Sequence, residues 1–205
     1  MMNNLENDYN WKSSKRPSCF NYYEKKVVEQ VKYLNPKKIL DIGSGNGYLC
    51  NVLNNYCEEI VGIEPSKIGY KISTKEYTKI KFYNISCYDD PSKLKQKFDL
   101  VISTEVIEHL FYPKKLIEFA NSCLKKNGHL ILTTPYHGYL KNLAISLLNG
   151  WDRHFMAHRD GGHIKFWSTK TLNKLLQSYG FSDLKNIGVG RVPYLRKGFI
   201  TVAKK

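Results

Sequence analysis

A chain of 205 residues with 42% hydrophobic content can bury one substantial core, and nothing in it requires a second domain, so 1–205 is read as a single unit. The net charge of +14 invites an anionic partner, yet the cations are mostly lysines scattered singly or in pairs, and a bias toward Lys, Asn, Ile and Tyr explains the charge equally well. Five cysteines, with no C-x-x-C pair, argue against a disulfide framework and for a reduced, cytoplasmic setting. The first 20 residues are polar, and no apolar run approaches the ~18 residues of a membrane span, so a soluble protein is expected.

Along the chain, the helical spacing of Tyr23, Val27, Val28, Val31 and Leu34 predicts a helix over 20–34 that stops before Asn35-Pro36. Residues 1–34 then form an N-terminal helical cap over the sheet or the cofactor. Strand-like runs at 38–42, 59–64, 79–85, 98–103 and 128–134 alternate with helix-like segments, the pattern of an α/β fold with a doubly wound parallel sheet. From 139 to 148, Leu140, Leu143, Ala144, Leu147 and Leu148 share one helical face, and Lys141, Asn142 and Ser146 the other. Packing of the leucines on the core is expected, with a substrate lid or a membrane-surface contact as alternatives. Residues 149–162 read as a long connection, and 136–167 as a substrate-side helix and loop. Ser168 and Thr169 can cap a helix running to about Tyr179 and stopping at Gly180, and β-rich segments at 184–190 and 198–203 close the sheet.

Two motifs carry chemistry. Lys38 to Ile42 is an apolar strand bearing Asp41, and it runs into Gly43-Ser44-Gly45-Asn46-Gly47 and then a helical pattern. Glycines there allow positive φ and close approach of a ligand to the backbone. The D-x-G-x-G-x-G spacing differs from the dinucleotide fingerprint and suits a nucleoside ligand without a pyrophosphate, with S-adenosylmethionine (SAM) the candidate. Glu64, at the end of the next strand and about 20 residues on, stands where a βαβ unit places a ribose-binding carboxylate. The alternative is that Glu64 caps a helix opening at Pro65.

The second motif, Glu105-Val106-Ile107-Glu108-His109, follows the fourth strand at the carboxyl edge, where open α/β sheets bind ligands. In one helical turn Glu105, Glu108 and His109 would share a face and could ligate a divalent ion, Mg²⁺, Mn²⁺ or Zn²⁺. His163, after Gly161-Gly162, is the candidate fourth ligand, ahead of His137, His154 and His158. A solvated helix start with a hydrogen-bonded histidine is the alternative.

Asp41 to Leu49, Glu64, and Phe98 to Leu110 resemble the class I SAM-dependent methyltransferases over roughly residues 35–185. Glu105 to Leu110 is similar to the ubiquinone-biosynthesis O-methyltransferases. Together with His163-Ile164-Lys165-Phe166-Trp167, the E-x-x-E-H motif also resembles the small-RNA 2′-O-methyltransferases. The resemblance implies a Rossmann-like three-layer sandwich with a seven-stranded, mostly parallel sheet, its last strand antiparallel. It implies SAM contacts from Asp41, Gly43, Ser44, Gly45, Gly47, Tyr48, Glu64, Pro65, Tyr88, Asp89 and Thr104. It also implies methylation of a hydroxyl assisted by a metal on Glu105, Glu108, His109 and His163, these four being the catalytic candidates. The adenine-contacting acid of the family falls a few positions later here, at Asp89 and Asp90, which makes Asp89 a departure from the pattern. A small-molecule or glycan hydroxyl is the preferred acceptor, RNA ribose the alternative, and a non-catalytic nucleoside-binding protein the reading from another class.

Overall fold

The structure, a computed structural model, describes residues 11–155 and 161–205. Helix α1 (Phe20–Leu34) coincides with the expected span and ends at Asn35 in the left-handed region, whose N–H donates to the Val31 carbonyl. Then follow β1 (Lys38–Ile42), α2 (Tyr48–Leu53), β2 (Glu59–Ile63), α3 (Lys67–Glu76), β3 (Lys81–Tyr83), β4 (Phe98–Thr104) and α4 (Pro113–Cys123). The chain closes with β5 (Leu124–Pro135), α5 (Tyr139–Leu147), α6 (Trp151–Phe155), α7 (Thr169–Ser178), β6 (Ser182–Val189) and β7 (Gly198–Lys204).

These strands form one sheet of seven in the order β3-β2-β1-β4-β5-β7-β6, with β7 antiparallel to both of its neighbours. The order reverses between β1 and β4, which opens the crevice where a doubly wound sheet binds its ligand. Alternating side chains of each strand feed two cores. Leu40, Val61, Val101 and Leu132 pack under α4 and α7, whereas Ile39, Ile60, Leu100 and Ile131 pack under α1 and α2. Both faces are thereby covered, as a parallel sheet requires. No helix among the described residues is long and apolar enough to cross a membrane.

Two expectations change. Helix α5 buries Lys141 and Ile145, while Leu140, Leu143, Leu147 and Leu148 are exposed, the last two at 77% and 80%. The leucine stripe therefore does not pack on the core. Amphipathic spacing defines a stripe, but which side is covered depends on where the preceding strand delivers the helix. The connection after it is also not wholly irregular, because α6 occupies its first part.

Candidate active site

At the end of β1 the chain reverses through Gly43, Gly45 and Gly47, with φ of 76°, 56° and 80°. The Gly43 and Ser44 N–H groups donate to the Ile63 carbonyl at 2.9 and 3.0 Å, pinning the turn to the end of β2. A Cβ on Gly43 would lie 2.5 Å from Val106 Cγ2, so the glycine turn and the E-x-x-E-H turn touch.

Glu64 is buried and bridges two elements: it accepts from Gly45 N–H at 2.7 Å and from Ser66 N–H at 2.8 Å. Burial pushes its carboxyl up to about 7 against those two donors. Ser66, not Glu64, caps α3, accepting from Gly69 N–H at 3.2 Å. A segment the sequence reading passed over lies alongside. Asn46 Nδ2 donates to the Ser13 and Lys15 carbonyls at 2.8 Å each, and a Cβ on Gly45 would meet Trp11 Cζ2 at 2.3 Å. The chain from Trp11 to Lys15 is thus stitched over the glycine turn. The lone tryptophan in a polar leader was the available signal.

Other expected contacts sit variously. Asp41 is fully buried beneath the turn, where it accepts from the Cys50 thiol at 3.3 Å, and burial lifts its carboxyl to about 7. Ser44 and Thr104 are buried at the strand ends, and Pro65 is half-buried. Tyr48 turns toward α1, donating to Glu24 at 2.8 Å. Asp89 accepts from Ser86 N–H and pairs with Lys93, so its oxygens serve its own turn, and Tyr88 beside it is exposed.

The E-x-x-E-H segment is not one helical turn. Only Ile107–His109 forms a 3-10 turn, and Glu105 precedes it at φ 55° because its N–H still bonds Thr133 of β5 as an extension of the ladder. Strain of this kind persists where the surroundings over-determine the backbone. Glu105 consequently points toward Thr133, whose hydroxyl donates to it at 3.2 Å, and toward Tyr23. It stands outside the group that converges. That group is Glu108, His109 and His163, whose ligand atoms lie within 4.8 Å of one another.

Each of the three is positioned by a neighbour. Thr134 Oγ1 donates to Glu108 Oε2 at 3.0 Å. Ile164 and Lys165 N–H both donate to the Glu108 carbonyl, which docks the segment carrying His163 beside it. His109 Nδ1 faces the Gly161 and Gly162 carbonyls at 2.8 and 3.1 Å. A carbonyl only accepts, so Nδ1 carries a proton, and Nε2, 3.8 Å from Glu108 Oε1, is the ring nitrogen that a neutral imidazole would offer as a ligand. That Glu108 oxygen is buried with no hydrogen-bond donor among the described residues. Burial, reinforced by Glu105, drives the Glu108 carboxyl well above the usual range. That shift favours the neutral acid, so a divalent ion held here would have to displace its proton, and one carboxylate with two imidazoles is a ligand set such an ion could use.

His137 is elsewhere, bonded to Asn142 and edge-on to Phe166; burial depresses it to about 4. His154 lies on α6, and His158 falls outside the described residues.

A protein-family model described as a methyltransferase domain matches residues 20–186. The chain is 23% identical over 178 residues to the ubiquinone biosynthesis O-methyltransferase of Hydrogenovibrio crunogenus, covering 85% of this chain and 74% of that protein. It is 25% identical over 126 residues to the enzyme of the same name from Bradyrhizobium diazoefficiens, 59% of this chain and 48% of that one. The chain thus spans only about half the length of several curated relatives, including 46% of the mitochondrial Bos taurus protein. Among solved structures, the methyltransferase domain of bacterial CtHen1-CN superposes with a TM-score of 0.67 at 20% identity, covering 88% of this chain and 96% of that one. The N-methyltransferase NodS of Bradyrhizobium japonicum, solved with S-adenosylhomocysteine, gives 0.65 at 15% identity over 98% and 94%. At these identities the structural likeness concerns the fold.

Proposed function

The chain belongs to the methyltransferase-domain family and is a SAM-dependent methyltransferase, and from that premise we propose that it methylates a hydroxyl oxygen of a small-molecule or glycan acceptor, with Glu108, His109 and His163 holding a divalent metal. The single observation carrying the metal is the buried Glu108 oxygen that has no hydrogen-bond donor among the described residues and stands 3.8 Å from His109 Nε2. The name of the ubiquinone biosynthesis relatives supports oxygen as the acceptor atom.

In this reading the glycine turn and Glu64 hold the adenosine half of SAM across the ends of β1 and β2. Glu64 keeps lone pairs for ribose hydroxyls beyond its two backbone donors. Trp11 covers the turn and keeps water from the cofactor. The methyl carbon of SAM is already electrophilic, so the protein's task is to align an acceptor oxygen and assist loss of its proton. Glu108, His109 and His163 would hold a divalent metal, which when bound would supply Lewis acidity able to lower the pKa of the acceptor hydroxyl. The His109 tautomer set by Gly161 keeps Nε2 directed at the site, and Thr134 fixes the Glu108 carboxylate. With Glu105 outside the trio, one carboxylate and two imidazoles favour Mn²⁺ or Zn²⁺ over Mg²⁺.

Glu108→Ala is expected to abolish conversion of SAM to S-adenosylhomocysteine with catechol or vicinal-diol acceptors while leaving SAM affinity nearly intact. Full activity of the wild type in excess EDTA would sink the metal assignment. The +14 charge keeps the ribose of RNA as a second reading; activity that collapses between about 50 and about 200 mM salt would favour it, because phosphate contacts release counterions.

A further inference from the structure

Helix α5 is turned against its own sequence pattern: it exposes Leu140, Leu143 and Leu147, with Leu148 exposed just past its end, and buries a lysine. Lys141 is 9% exposed, and its Nζ donates to the Tyr136 carbonyl at 2.6 Å and the Lys197 carbonyl at 3.5 Å. Tyr136 directly follows β5, whose Thr133 and Thr134 hold Glu105 and Glu108, so the ammonium stands at the sheet edge that carries the reacting groups. An ammonium has three donors, and two are used by carbonyls that do not neutralise it. Among the described residues no carboxylate forms an ion pair with Lys141, Arg153 or Arg191.

The surroundings compound the charge. Arg191 and Lys141 repel one another, His154 feels Lys141, Arg191 and Arg153, and His137 feels Lys141 and His154; Glu105 is the acid whose field reaches Lys141. Desolvating a lysine among like charges is costly unless an anion joins it.

We propose that Lys141, with Arg191 and Arg153 at its rim, binds a terminal phosphate monoester of the acceptor, which makes the methylated molecule a small phosphorylated hydroxyl compound. The inference rests on the methyltransferase reading for the identity of the acceptor. An excess of cations over the one acid suits a dianion better than a carboxylate. Burial of Lys141 suits a terminal group, whereas a nucleic-acid backbone needs cations along an open track. The bound phosphate would hold the acceptor with its hydroxyl toward Glu108 and His109, so Lys141 acts in positioning rather than in chemistry.

Calorimetric titration of inorganic phosphate into the full chain saturated with S-adenosylhomocysteine tests this. The wild type should bind saturably, ribose 5-phosphate should compete, ribose should not, and acetate should bind more weakly. Lys141→Met should weaken phosphate binding at least about tenfold, equivalent to about 1.4 kcal/mol, and Arg191→Gln several-fold. Both variants should keep S-adenosylhomocysteine and Mn²⁺ affinity unchanged. Loss of those two affinities in the wild type would instead strike the methyltransferase and metal reading, independently of phosphate. Absent binding by the wild type, equal binding by Lys141→Met, or stronger displacement by an oligonucleotide lacking a terminal phosphate would overturn the proposal. Should Lys141→Met fail to fold, unchanged phosphate affinity in Arg191→Gln, at the exposed rim, overturns it alone.

Discussion

Replacing Gly43 by alanine should damage both halves of the site at once, because this glycine is where they meet. Its φ of +76° costs an L-residue about 1–2 kcal/mol, the ordinary penalty of the left-handed region. The new methyl would also stand 2.5 Å from Val106 Cγ2, an overlap that cores relieve at a cost of about 1–3 kcal/mol. Together these predict a destabilisation of about 2–5 kcal/mol in urea unfolding. The two contributions separate in a double-mutant cycle. Val106→Ala removes the clashing methyl and leaves the φ penalty, so in the Gly43→Ala background it should return about 1–3 kcal/mol of coupling energy. Val106 leads into the turn bearing Glu108 and His109, so Gly43→Ala should lower Mn²⁺ affinity together with S-adenosylhomocysteine affinity. A loss below about 0.5 kcal/mol, or no coupling with Val106→Ala, would refute this contact between the motifs.

Stability should also depend on Asp41. Its folded carboxyl sits at about 7, above 3.8, chiefly through burial. The folded state therefore holds the proton more tightly, and the associated stability is complete below about pH 4 and lost as pH rises through about 7. Asp41→Asn should flatten that decline, with a relative gain approaching about 4 kcal/mol at pH 8 as an upper limit; parallel pH profiles of unfolding for the two proteins would contradict it. On α5, Ile145→Ala should cost about 2 kcal/mol or more and Leu147→Glu less than about 0.5 kcal/mol, read by denaturant midpoints. The reverse ranking would mean the leucine stripe is the buried face.

The fold was legible because β1, β2, β4 and the second half of β5 are short apolar runs bounded by turn signals, and because α1 has both a periodic face and a clear stop at Asn35-Pro36; the polar first half of β5, Leu124 to Asn127, gave no such signal. The glycine turn was legible for the same reason: Gly43, Gly45 and Gly47 all take conformations that other residues avoid. What escaped was decided by tertiary partners. Glu105 looked like part of a helical face, but the Thr133 contact holds it at φ 55° just past β4 and turns it from Glu108 and His109. Helix α5 looked like a core helix, but its approach from β5 swings Lys141 inward. Trp11 and Ser13 have no periodic pattern, so their place on the glycine turn depends on Asn46, a residue that local reading treats as turn filler.

The most direct test is anomalous diffraction from crystals grown with S-adenosylhomocysteine and Mn²⁺. The account predicts the nucleoside across the ends of β1 and β2 with its ribose at Glu64, and one anomalous peak coordinated by Glu108, His109 Nε2 and His163. A ligand seated away from Glu64, or no anomalous peak at the trio despite bound S-adenosylhomocysteine, would contradict it.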